Sequence, residues 1–159
     1  MTDPLTDSLL LLFSEKAREQ KDPVAAVAEL NLQLQIHRRT TDQDSAPLAG
    51  LRNIGALHLT HVIKRAYSHH ISPEIMVSSL ARAGQPLDAT AFAIQRSYGP
   101  MTALTLIGLL KNDEIFSRAS ESELHAALTE AGFDQVQIVN ALWIQHAGSD
   151  TSDEHAYSA

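Results

Sequence analysis

Leu51-Arg52-Asn53-Ile54-Gly55-Ala56-Leu57 lines up with Leu104-Thr105-Leu106-Ile107-Gly108-Leu109-Leu110. Without a shift, Arg65-Ala66 then falls on Arg118-Ala119. After a short deletion, Ser72 matches Ser120, Leu80 matches Leu128 and Ala83-Gly84 matches Ala131-Gly132. Self-similarity at a spacing of roughly fifty residues marks stacked supersecondary units that share one core. Independent helix ends also favour Ala-Gly, so the Ile-Gly and Arg-Ala matches are what tip the reading towards duplication. The repeat speaks to architecture and not to a reaction.

Start and stop signals on either side of the repeat predict an all-α chain of seven or eight helices. Asp3-Pro4 and Asp22-Pro23 each put a capping carboxylate before a proline at the first helical position. Helix one is expected from Pro4 to about Gln20, with Leu5, Leu9, Leu12, Phe13 and Ala17 on its apolar face. Helix two runs from Pro23 to about Arg39, where Arg38 and Arg39 suit a helix C-terminus. Residues 1–39 are thus an N-terminal helical pair, and the polar stretch 40–47 is a linker.

Unit one, 48–99, holds a long helix from about Leu48 to His69, then a helix started by Ser72-Pro73-Glu74 and ended by Gly84. Pro86 opens its third helix and Gly99 closes it. Unit two, 100–147, begins at Pro100, and Asn112-Asp113 either breaks its first helix or lets it continue to Ala119. Ser120 with Glu123, and Asp134 with Gln137, have capping-box spacing and start the last two helices. Gly84 and Gly132 are expected in the left-handed conformation that ends a helix. Residues 1–147 form one helical domain, and 148–159, small and polar after Gly148, are expected to be a disordered tail. No stretch shows sustained apolar/polar alternation between hairpin turns.

Composition excludes several chemistries. At 159 residues with 44% hydrophobic and only 5% aromatic content, the core is aliphatic, as packed helices require. Cysteine is absent, which removes disulfides, thiolate metal sites and thiol nucleophiles. A net charge of −7 opposes a general affinity for nucleic acid or anionic membrane. The apolar run Leu9 to Phe13 is too short to span a bilayer, and Asp3 and Asp7 stand where a signal peptide carries basic residues. A cytoplasmic location is the expectation.

Histidine is the one abundant reactive side chain. His58, His61, Arg65 and His69 fall on one side of helix three. His58 and His61, three apart, have the spacing of two metal ligands. No Asp or Glu on that helix completes the set, and Arg65 would repel a cation. His58, between Ile54 and Val62 on the wheel, is expected half-buried at the core boundary. No metal and no cofactor is expected.

The stretch His61-Val62-Ile63-Lys64-Arg65-Ala66 resembles the phosphoacceptor segment of histidine phosphotransfer domains. The resemblance implies His61 as phosphoacceptor and Lys64, one turn later, as the group that balances its charge. Arg65 stands where that family has a glycine. Leu128-Thr129-Glu130-Ala131-Gly132-Phe133-Asp134 with Ala141-Leu142 resembles the first two helices of a ubiquitin-associated domain, without its third helix. A helix–glycine–helix corner with Phe133 tucked into the core is the preferred reading of that segment.

The same corner has the outline of a DNA-reading helix-turn-helix, with Gln135, Gln137, Asn140 and Gln145 on its second helix. From Ser120 onward, however, there is no Lys or Arg to hold phosphate. Glu121, Glu123 and Glu130 read as a solvated acidic face. Glycine-rich phosphate loops, nucleophile elbows and zinc-protease motifs are missing.

The expectation is therefore a non-enzymatic helical adaptor or regulatory protein that binds another protein, with self-association as one form of that binding. Tyr67, Met76, Tyr98, Met101, Phe133 and Trp143 are the partner-binding candidates, since such side chains are enriched at interfaces. All six suit a core equally well, and Trp143, beside Leu142 and Ile144, is expected at least half-buried.

Overall fold

The computed structural model describes residues 4–41, 55–67 and 70–158, with side chains described for 7–32, 55–67 and 70–146. It contains α1 (Pro4–Arg18), α2 (Pro23–Thr41), α3 (Ala56–Ala66) and α4 (Pro73–Arg82). After them come α5 (Leu87–Tyr98), α6 (Ala103–Lys111), α7 (Glu121–Glu130) and α8 (Gln135–Ser158). The described residues hold no strand, so the chain is all-α, with eight helices among them.

The Asp22 carboxylate accepts from the Ala25 N–H at 2.8 Å and starts α2. The Ser72 hydroxyl accepts from the Ile75 N–H and starts α4. Two reciprocal capping boxes start the last helices. Ser120 and Glu123 exchange bonds of 3.1 and 3.4 Å, and Asp134 and Gln137 exchange bonds of 2.8 and 3.0 Å. Gly84 and Gly132 have φ of 89° and 104°, the left-handed conformation expected of them. Their corners match bond for bond. The Gly84 and Gln85 amides close on Ala81 and Leu80, as the Gly132 and Phe133 amides close on Thr129 and Leu128.

Several helix limits differ from the sequence expectation. Gln20, with φ of 63°, already lies beyond α1, and α2 continues to Thr41. Positions 42–54 and 68–69 lie outside the described residues, as do Asp3 and His69 with the roles expected of them. Within the described part, Gly55 is extended and caps α3, and Tyr67 is extended at its other end. Asn112 ends α6, and Phe116–Arg118 forms only a short 3-10 turn. The buried Asp113 carboxylate makes that break. It accepts from the Ser78 hydroxyl at 2.7 Å and from the Ile115 and Phe116 amides at 2.9 and 3.2 Å. The stop expected at Gly148, and the disordered tail after it, give way to helical backbone through Ser158. An interior glycine costs a helix only about 1 kcal/mol, and no proline follows to break the bonding pattern.

Packing adds an order the sequence grouping does not contain. Every helix packs on the one two places further along: α1 on α3, α3 on α5, α5 on α7, and likewise α2 on α4, α4 on α6, α6 on α8. The consecutive pairs α1–α2, α3–α4, α5–α6 and α7–α8 also touch. The contacts thus describe two rows of helices built from four stacked pairs, a solenoid-like order. In the three-helix grouping read from sequence, α3 corresponds to α6, yet the two stand in opposite rows. The glycines that suggested the match differ too: Gly55 caps α3, whereas Gly108 lies inside α6. The corners at Gly84 and Gly132 do share one conformation and one bonding pattern. One continuous core runs through the stack, including Phe13, Leu30, Leu59, Ile63, Met76, Leu80, Ile94, Leu106, Ile107, Leu110 and Leu128.

At the N-terminal end, the Glu29 carboxylate on α2 accepts from Lys16 on α1 and from Lys21, both at 2.6 Å. The Lys16 hydrogen bond, then that of Lys21, holds the Glu29 carboxyl down at about 2, below its ordinary 4.5. A depressed carboxyl contributes stability that is present above pH 4.5 and is lost as pH falls towards 2. Denaturant titrations of wild type and Glu29→Gln are expected to differ at pH 6 and to converge by pH 2. A difference that is constant with pH would contradict the ion-pair account.

Candidate functional site

Two surfaces gather the chemistry-bearing side chains. The first is the outer side of α3, where His58, His61, Val62, Lys64 and Arg65 line a shallow open groove. His61 is exposed. His58 is exposed as well, not half-buried, because the buried side of α3 is taken by Ala56, Leu59, Thr60, Val62 and Ile63. Lys64 lies one turn from His61, but its ammonium is drawn across to α5. It sits 4.5 Å from the Tyr98 ring centroid and donates to the Ser97 carbonyl at 3.4 Å. Among the described residues no three His, Cys, Asp or Glu side chains come together as a metal site.

The six candidate contact residues divide by burial. Tyr67 and Met76 are core residues, at 4% and 0% exposure, and present no surface to a partner. Met76 follows from the inward stripe of α4, and the Tyr67 hydroxyl donates inward to the Lys21 carbonyl at 2.9 Å. Tyr98 is half-buried and donates to the Ile71 carbonyl at 2.8 Å. Burial, with the nearby Glu74 charge second, pushes the Tyr98 phenol up to about 12. Met101 and Phe133 are half-buried and pack against the core. Trp143 is 69% exposed, contrary to the expectation of a half-buried ring.

The second surface is built around that indole. Ile138 and Ala141 are the inward side of α8, and both are buried. Val136, Val139 and Trp143, spaced by three and four residues, form a separate apolar stripe on the outer side, at 68%, 50% and 69% exposure. Between this stripe and α7 lies a groove lined by Glu121, Ser122, His125, Ala126, Val139, Leu142 and Trp143. The His125 Nε2 and Gln135 Oε1 atoms, 3.0 Å apart, tie α7 to α8 at one end of it. A second groove on the opposite flank of α8 brings Met101 and Phe133 together with Leu104 and Ile144.

Searches against protein-family models, curated proteins and solved structures find no match for this chain. The site is therefore read from its own side chains. No helix among the described residues is long and apolar enough to cross a membrane. The exposed stripe of α8 is the feature that sequence reasoning missed. Its signal was present, in that Val136, Val139 and Trp143 lie off the phase set by Ile138, Ala141 and Leu142. An apolar residue in a helix reads as core until neighbouring elements are known. Here α8 has α6 and α7 beside it and, among the described helices, no further neighbour in its row.

Proposed function

We propose that this chain is a non-enzymatic helical adaptor or regulatory protein that binds another protein through the outer face of α8. The observation that carries the reading is the exposed stripe of Val136, Val139 and Trp143 on α8. A contiguous apolar stripe left open to solvent on a helix marks a contact surface. Tryptophan is enriched among the few residues that carry most of the binding energy of a protein interface. A cytoplasmic location goes with this reading. Co-purification from native cells tests it: wild-type chain is expected to retain a protein partner that Trp143→Glu loses. Recovery of the bare monomer from both would overturn it.

Phosphotransfer through His61 is the competing proposal, favoured by the exposure of that imidazole in the α3 groove. Against it, Lys64 is engaged with Tyr98 and Ser97. On the adaptor reading, incubation with a phosphorylated receiver domain leaves no acid-labile phosphate on the wild type, and His61→Gln retains the partner. Label that is present on wild type and absent from His61→Gln would reverse the preference.

A further inference from the structure

The partner that suits the α8 face can be narrowed by charge. Residues 120–159 contain seven carboxylates and no Lys or Arg, whereas the 119 residues before them carry twelve charges of each sign. The whole net charge of −7 thus belongs to the segment that bears the exposed stripe. Glu121 lines the groove beside Trp143, and Glu123 and Glu130 are exposed on the same helix, α7.

We infer that the Trp143 face receives a cationic amphipathic helix of a partner protein, resting on the docking role proposed above for the same face. The three apolar side chains span two turns of α8, which suits the i, i+3, i+7 anchors of a helix laid into a groove. Basic residues flanking those anchors meet the acidic surroundings, which steers encounter and fixes orientation. A second copy docked face to face would instead bring two all-acidic segments together. Anionic lipid is repelled for the same reason.

Trp143 is the only tryptophan, so its emission in the full chain reports directly on this face. The probes are synthetic peptides of about 18 residues, long enough to hold a helix. Three share one amphipathic leucine pattern and carry lysine, glutamine or glutamate elsewhere; a fourth is the leucine/lysine peptide with its order scrambled. The leucine/lysine peptide is expected to shift Trp143 emission to the blue, saturably, and to bind at least about tenfold more tightly than the glutamine peptide. That affinity falls as salt is raised. The glutamate and scrambled peptides are expected to give no shift. Val139→Glu, which keeps the reporter, abolishes the effect, and Glu121→Lys, in the groove itself, weakens it about fivefold.

Equal binding of the lysine and glutamine peptides overturns the cationic preference while the docking face stands. Equal binding of the scrambled peptide shows charge attraction alone and overturns the proposal. No shift with any peptide removes the docking face together with its charge preference. A concentration-dependent shift of the chain by itself, abolished by Val139→Glu, makes a second copy the occupant instead.

Discussion

Replacing Ile94 with alanine is expected to lower the unfolding free energy by about 2–5 kcal/mol, against about 0.5–1.5 kcal/mol for valine. Ile94 is fully buried on α5, and α5 is the helix that packs on α3, α4, α6 and α7 together. Removing its side chain takes away transfer free energy and leaves a cavity that short helices close only in part. For a chain of this size each kcal/mol moves the melting temperature by roughly 2–4 °C. The measurement is urea unfolding followed by circular dichroism. Because one core runs the length of the stack, a single transition with a lower midpoint and an unchanged slope is expected. Two separated transitions would show that the stack is not one cooperative unit. Val139→Ala on the outer side of α8 is the control, with a change within about 0.5 kcal/mol.

Trp143→Glu is expected to reverse that pattern, with stability within about 0.5 kcal/mol of wild type and partner affinity lower by at least about 2 kcal/mol, roughly 30-fold. At 69% exposure the indole contributes little to the core, so its loss leaves the fold in place. At an interface the same ring is desolvated, and a carboxylate there faces apolar contacts and the charge of Glu121. Thermal unfolding and a binding titration against the co-purified partner separate the two effects. Unchanged affinity with unchanged stability would remove the α8 face from function. A large loss of stability would mean that the ring belongs to the core.

The helix signals that were legible in the sequence are local ones. Asp22, Ser72, Ser120 and Asp134 bond amides only three residues on, and Gly84 and Gly132 bond within their own corners. Such chemistry is complete within a few residues, so position in the chain is enough to read it. Gly148 misled for the complementary reason. A glycine ends a helix only where the following backbone bonds back into it, and at Gly148 the helix simply continues.

The candidate site was only half legible. His58, His61 and Lys64 were placed correctly on one helix, because spacing along a helix fixes phase. That Lys64 turns to α5 depends on Tyr98, which lies more than thirty residues further along the chain. Tyr67, Met76 and Trp143 were indistinguishable as contact candidates, since each side chain suits a core and an interface equally well. Their burial of 4%, 0% and 69% exposure was set by which helices stand beside them.

By itself the sequence determined that the chain is helical, where most of its helices start, and that its last forty residues carry only acidic charge. Only the tertiary structure decided that the helices pair into two rows and that Val136, Val139 and Trp143 face outward. Caps and charge are properties of neighbouring residues. Burial is a property of the space between helices distant in the chain, and no local pattern specifies which of two apolar stripes that space will cover.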